Sequence, residues 1–224
     1  MASLRRLVSG ALDLALPASC SGCGREGQPL CPTCLPSVDA RLALPGGTPI
    51  GLPADIPARL LQLEWCAPFA GPVRAALHDL KYAGERRLAE PLGAAVARRW
   101  ARVGVGADLL VPVPVHAERE RRRGYDQAAL IATVAATHLG LPSVRALERR
   151  RATVAQFELG RGERASNVAG AFAVGRAGHA VVAGRWILLV DDVVTPGATL
   201  GTSGDTLIRA GARAVSAIAV ARER

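Results

Sequence analysis

The most informative stretch of this sequence is ILLVDDVVTPGATL, residues 187–200. Four apolar residues lead into two adjacent acids, Asp191 and Asp192, and a loop with threonine and glycine follows. Burying two carboxylates without partners is costly, and an ordinary turn requires neither acid. The apolar run is typical of a buried strand, and the residues from Thr199 onward are typical of a helix. We therefore expect a strand, a ligand-binding loop and a helix in this order.

Strand and helix patterns alternate along most of the chain. Strand patterns occupy residues 108–115, 143–149, 184–192 and 214–222, and helical patterns occupy residues 71–82, 85–104, 126–140 and 199–211. The second of these helices is expected to bend at Pro91. The alternation predicts an α/β fold with a mostly parallel, doubly wound sheet.

The composition is that of a folded, basic protein. Half of the 224 residues are hydrophobic, which is enough for a substantial core. The formal net charge of +9 favours anionic partners such as phosphates or nucleic acid. No apolar stretch reaches the ~20 residues that a membrane span needs. Residues 4–15 have helical apolar spacing with Asp13 among them, so we expect an amphipathic helix rather than a secretion signal, and a cytoplasmic location.

Four of the five cysteines form two closely spaced pairs, CSGC and CPTC. These are Cys20, Cys23, Cys31 and Cys34. Two such pairs suit a tetrahedral sulfur site for structural zinc, which we favour over the alternative of two disulfides. Cys66 is expected to be a free thiol.

The sequence divides into three expected parts. Residues 1–36 would form an N-terminal helix and a small zinc ribbon, residues 37–64 a linker rich in Pro and Gly, and residues 65–224 the α/β domain. We expect the core of the α/β domain to be separate from the zinc ribbon.

In doubly wound sheets, ligands bind beyond the carboxyl ends of the strands. Asp191 and Asp192 are suited to sugar hydroxyls or to Mg²⁺. The loop that follows enters a helix, whose free N–H groups suit a phosphate. The loop residues assigned to this phosphate are Thr195, Gly197, Ala198 and Thr199. A sugar phosphate would satisfy all of these groups, whereas the alternative, a strand followed by a capped helix, does not explain the paired acids.

The acid-pair stretch resembles the phosphoribosyl-pyrophosphate motif of type I phosphoribosyltransferases. The chain as a whole resembles the ComF family, which is named for bacterial competence for DNA uptake. The resemblance is carried by the four cysteines, LKY at 80–82, PVPV and RRRGYDQA within 112–128, the segment 151–172 and the acid pair. The chain departs from the family at Asp126, where Asn is frequent, and at Pro196, where Thr is frequent.

The resemblance implies further site residues. It makes Lys81 a candidate for a phosphate contact, and it places a pyrophosphate loop after the strand at 108–115, where we select Arg123 at the start of a helix. The cluster that contains Arg123 could equally be a solvated basic face. Residues 150–167 are expected to form either a lid or a surface hairpin. The lid residues that would cover pyrophosphate are Arg151, Gln156 and Arg164.

These features together predict a phosphoribosyltransferase-like protein that binds phosphoribosyl pyrophosphate with Mg²⁺ and acts in DNA uptake or nucleotide salvage. Asp191 and Asp192 would be its catalytic residues, transferring ribose to a nitrogen nucleophile that the sequence does not identify. The alternatives are a module that binds single-stranded DNA beside other DNA-uptake proteins, and a regulator that senses the sugar phosphate without turnover.

Overall fold

A parallel sheet forms the centre of the protein in a computed structural model that describes residues 18–47, 59–150, 171–194 and 199–223. Its strands are β1 (Leu63–Pro68), β2 (Leu109–Pro112), β5 (Trp186–Val194) and β6 (Ala214–Arg222), with β3 (Leu147–Arg149) and β4 (Phe172–Val174) forming a separate antiparallel pair. The four-stranded sheet has the order β1-β6-β5-β2, and each neighbouring pair is parallel.

Helices cover both faces of this sheet. They are α1 (Gly71–His78), α2 (Ala89–Val103), α3 (Ala117–Arg123), α4 (Gln127–Leu139), α5 (Arg176–Val182) and α6 (Thr199–Arg209). Leu188 and Val190 of β5 share one buried cluster with α2 and α4. Ile187 and Leu189 belong to a second cluster with α6, α5 and the β3–β4 pair. The strand is apolar on both sides because each face is buried, and the predicted doubly wound α/β fold is confirmed.

Several short elements were absent from the sequence prediction. β1, β4, α3 and α5 are between three and seven residues long, and α3 has no buried residue to produce a helical pattern. β3 covers only the last three residues of the predicted strand. Pro91 lies in the first turn of α2, where its missing N–H requires no intrahelical partner, so this position explains the proline without a bend.

The four-cysteine segment packs directly on the α/β domain. A Cβ at Gly22 would lie 2.7 Å from Cys34 Sγ and 2.8 Å from the Pro72 Cβ of α1, so the segment and α1 are in close contact. Residues of both parts also belong to a single buried cluster. The expectation of separate cores is therefore wrong, because the small cysteine segment buries its apolar side chains against the helices beside it.

Hydrogen bonds from buried polar groups hold segment 37–47 against the sheet. β1 begins at Leu63, so the sheet includes the last two residues of the expected linker. Glu64 is fully buried and accepts hydrogen bonds from Arg99 and from the N–H of Gly47. Arg99 donates in turn to the carbonyl oxygens of residues 41, 44 and 45.

In the part of the chain that the structure describes, no helix is long and apolar enough to cross a membrane.

Candidate functional site

The acid pair lies where β5 continues beyond its shorter neighbour. β2 ends at Pro112, which is paired with Val190, whereas β5 pairs with β6 as far as Val194. The sequence predicted that the strand would end with the acids at residue 192, and β5 continues to Val194 because it stays paired with β6. Asp192 is 6% exposed and Asp191 is half-buried. Both acids line the cleft at this end of the sheet.

A cleft of about 180 Å³ lies over this end of the sheet. Its polar and charged lining residues are Lys81, Tyr82, Arg119, Arg123, Gln127, Arg149, Asp191, Asp192 and Thr199, and residues 113–115 complete the wall. The cleft thus combines two carboxylates with four basic side chains. This mixture suits a ligand that carries both hydroxyl groups and anionic groups.

Lys81 reaches the acid pair from a π-helical turn, Asp79–Ala83, that follows α1. The turn ends at Gly84, whose φ of 75° is readily adopted only by glycine. The buried Tyr125 hydroxyl donates a hydrogen bond to the carbonyl oxygen of Leu80 and so anchors the turn. The Lys81 ammonium forms an ion pair with the Asp192 carboxylate.

Burial and charge give the three ionisable groups of this contact different pKa values. Burial raises the pKa of Asp191 well above its usual range, and the charge of Asp192 raises it further. Burial also opposes ionisation of Asp192, but the Lys81 ammonium and the hydrogen bond with Asp191 together outweigh it and lower the pKa of Asp192. Burial alone would lower the pKa of Lys81, yet the charge of Asp192 raises it. Asp192 and Lys81 are therefore a charged pair, and Asp191 holds its proton more tightly.

The loop after β2 and the first turn of α4 form the opposite wall. Asp126 caps α4 by accepting the N–H of Ala129, and its other oxygen accepts the N–H of Val115. Arg123 donates to the Gln127 side chain. It ends α3 rather than beginning a helix as expected, because residues 117–123 form a helix of their own.

The structure brings most of the described candidates together. Asp191, Asp192, Lys81, Arg123 and Thr199 all line the cleft. The candidates Thr195, Gly197, Ala198, Arg151, Gln156 and Arg164 lie outside the described residues.

Four polar lining residues were not selected as site residues from the sequence: Tyr82, Arg119, Gln127 and Arg149. Arg149 is the last residue of β3, directly before the expected lid segment, and its pKa is lowered by burial and by the charge of Arg119. Gln127 opens α4 and is 5% exposed. The position of Gln127 in the predicted first turn of a helix was the available sequence signal, and nothing in the sequence distinguished Arg149 from other arginines.

The four cysteines form a second candidate site at the surface of the fold. Their Sγ atoms all lie within 4.8 Å of one another, and Cys23 is the exposed member. The Cys31 N–H donates to Cys20 Sγ at 3.3 Å. All five cysteines are free thiols, and burial raises the pKa of Cys66, which stands apart from the cluster.

The chemistry of these four thiols fits a metal ion. The N–H of Cys34 lowers the pKa of Cys31 to about 6, whereas burial raises the pKa of Cys34 to about 12, with a further contribution from the neighbouring thiols. Four thiolates this close repel one another unless a cation lies among them. The cluster can therefore hold a structural metal ion that prefers sulfur.

The parallel sheet and the acid pair of β5 define a doubly wound α/β protein with a cleft of mixed charge at the carboxyl edge of its sheet. The chain is 31% identical over 204 residues to DNA utilization protein YhgH of Escherichia coli K12, covering 88% of this chain and 85% of that protein. It is 30% identical over 116 residues to competence protein F of Haemophilus influenzae, covering 51% of this chain and 50% of that protein. The protein belongs to the ComF family.

Two solved structures are similar to part of this chain. One is the allosteric regulatory enzyme of purine biosynthesis, with 22% identity, a TM-score of 0.41, and coverage of 58% of this chain and 26% of that chain. Another is glutamine phosphoribosylpyrophosphate amidotransferase from B. subtilis, with 23% identity, a TM-score of 0.37, and coverage of 58% and 25%. No family model matches the chain.

Proposed function

We propose that the protein binds phosphoribosyl pyrophosphate in the acid-pair cleft. The observation that carries this proposal is the convergence of Asp191 and Asp192 with Lys81 and Arg123 around one cavity. In this arrangement the acids bind ribose hydroxyls, and the basic side chains bind pyrophosphate. Thr199, with the loop before it, binds the 5′-phosphate. Arg151, Gln156 and Arg164 are proposed to cover the pyrophosphate.

Asp191 and Asp192 are also the residues that would hold Mg²⁺, which neutralises phosphate charge when it is bound. The charged side chains of the cleft determine what the protein itself would contribute to ribosyl transfer. Lys81 and Arg123 stabilise the negative charge that develops on the departing pyrophosphate, and the acid pair orients the ribose and favours positive charge at its reacting carbon. A nitrogen nucleophile would then attack that carbon, as in other pentosyl transfers. We propose this glycosyltransferase activity on the geometry of the described cleft residues.

The biological setting follows from the relatives, one named for DNA utilization and another for competence. We propose a cytoplasmic protein that acts in DNA uptake or processing, with structural zinc bound by Cys20, Cys23, Cys31 and Cys34. The basic cleft supports a second candidate, a non-catalytic module that binds single-stranded DNA and meets other DNA-uptake proteins. Nucleotide salvage, and sensing of the sugar phosphate without turnover, are the remaining alternatives.

Replacing the acid pair tests the binding proposal. Asp191→Asn/Asp192→Asn keeps the shape of both side chains but removes their charges, so affinity for phosphoribosyl pyrophosphate with Mg²⁺ should fall by at least about tenfold. Calorimetric titration of wild type and variant, with and without Mg²⁺, measures this change, and an unchanged melting temperature serves as the control for folding. Absence of binding by the wild type, or equal binding by the variant, would refute the proposal. Pyrophosphate release with a panel of bases then separates an enzyme from a sensor.

A further inference from the structure

A second compartment adjoins the acid-pair cleft, shares part of its lining and does not include the acids. Its volume is about 480 Å³, which falls within the range of about 300–1,000 Å³ typical of small-molecule sites. Residues 81–84, Arg119, Arg122 and Arg123 line it. Lys81, Tyr82, Arg119 and Arg123 also line the acid-pair cleft, so a ligand here would lie beside a ligand bound to the acids.

The compartment contains an exposed aromatic ring, Tyr82, which belongs to the anchored π-helical turn. Tyr82 is 65% exposed, although Leu80 in the same π-helical turn is fully buried. The ring centroids of Tyr82 and His78 are 4.9 Å apart, and the guanidinium carbon of Arg123 lies 5.6 Å from the Tyr82 centroid. An aromatic side chain that is open to solvent is a surface on which a planar base can stack.

The charge of the compartment favours an anion. Its charged lining residues are all basic, and among the residues that the structure describes, Arg119 and Arg122 form no ion pair. Lys81 is already paired with Asp192, and Arg123 donates to Gln127. Arg119 and Arg122 are therefore the side chains left to bind an anionic group. Arg121, on the same helix, does not line the compartment.

We propose that this compartment binds a nucleotide, with its base stacked on Tyr82 and its phosphate held by Arg119 and Arg122. The proposal rests on the proposed function in one respect, which is that it places the nucleotide beside the bound sugar phosphate as the second ligand. A nucleotide fits this compartment better than inorganic phosphate does, because its base can stack on the exposed ring while its phosphate binds the cations. Inorganic phosphate would contact the cations alone. A free nucleotide and the end of a nucleic-acid strand offer the same chemistry.

Titration of the full-length protein with AMP, with dTMP and with a short oligo(dT) tests this proposal in the absence of phosphoribosyl pyrophosphate. Tyr82→Ala should weaken binding by at least about fivefold, the loss expected for one stacking contact, and Tyr82→Phe should retain it. Arg122→Gln should also weaken binding and reduce its dependence on salt. Arg121→Gln is the matched control and should bind as the wild type does.

The outcomes separate the two sources and the two proposals. Binding of AMP or dTMP supports a free nucleotide, and binding of oligo(dT) alone supports a strand end. The proposal is overturned if the wild type binds none of the three probes, or if Tyr82→Ala binds them as the wild type does. A parallel titration with phosphoribosyl pyrophosphate and Mg²⁺ reports on the acid-pair site separately, so the failure of one proposal is distinguishable from the failure of the other.

Discussion

Asp191 and Asp192 are neighbours in the chain, yet their surroundings give them different properties. Asp192 is paired with Lys81 and is held in its charged form. Asp191 accepts the N–H of Asp192 at 2.8 Å, and burial raises its pKa. Among the described residues Lys81 is the cation in ion-pair contact with these acids. Lys81 therefore balances the charge of Asp192, and a bound Mg²⁺ would favour loss of the proton that Asp191 holds, because metal ligands must be deprotonated.

Lys81→Met tests the role of that ammonium. Without it, the two carboxylates would repel an anionic ligand, and a charged contact to pyrophosphate would be lost. We expect the affinity for phosphoribosyl pyrophosphate to fall by about tenfold or more. Lys81→Arg keeps the charge and should recover part of the binding in the same calorimetric titration. Equal affinity of the Met variant and the wild type would show that Lys81 has only a structural role.

At the scale of elements, short irregular segments position the functional groups on the regular ones. The π-helical turn after α1 carries Lys81, and the bond from Tyr125 to Leu80 ties this turn to the beginning of α4. The four-cysteine segment is another short irregular segment that packs on a regular element. It packs on α1 near Pro72, so a metal ion bound there would stabilise an element that leads directly into the site.

Cys31→Ser tests the metal and its structural effect. The purified wild type should contain about one zinc per chain, and loss of one thiolate should bring the metal content close to zero. Because the cysteine segment shares a buried cluster with the α/β domain, we also expect a lower melting temperature for the whole protein. Elemental analysis and thermal unfolding measure the two effects. Cys66→Ala is the control and should retain its metal; a wild type without zinc would contradict the prediction.

At the scale of the whole molecule, one buried ionic network joins segment 37–47, the edge strand β1 and helix α2. Glu64 and Arg99 are at most 1% exposed, and Glu64 Oε2 lies 2.6 Å from Arg99 Nη2. Arg41 stacks over Trp65 and lies 3.9 Å from the same carboxylate. Removal of the carboxylate would leave two buried guanidinium groups without their acid, which is far more costly than loss of a surface pair.

Glu64→Ala should therefore lower the free energy of unfolding by about 3–5 kcal/mol. The matched control is Asp39→Ala, which removes the more exposed pair with Arg98 and should cost about 1 kcal/mol or less. Urea unfolding of the two variants gives both values. Similar losses for the two variants would mean that the buried network contributes no more to stability than a surface pair.

Much of this fold could be predicted because its signals are local. The apolar run before Asp191 and the helical spacing in α2, α4 and α6 are visible within short windows of sequence, and both follow from burial of one or two faces of an element. The four cysteines were also recognisable, because the spacing within each pair already places two thiols close together. The acid pair pointed to a ligand site because no strand or turn requires it.

The contacts between distant segments were decided by the tertiary structure alone. Lys81 meets Asp192 because the turn after α1 folds over the end of β5, and Arg149 joins them because β3 ends at the same cleft. The cysteine segment shares a core with α1 and α2 for a similar reason, since its apolar side chains are too few to bury one another. The sequence by itself determined which elements form and which residues carry charge or sulfur. Only the packing of those elements determined which of these residues meet. Burial of apolar faces against each other lowers the free energy whatever their separation along the chain.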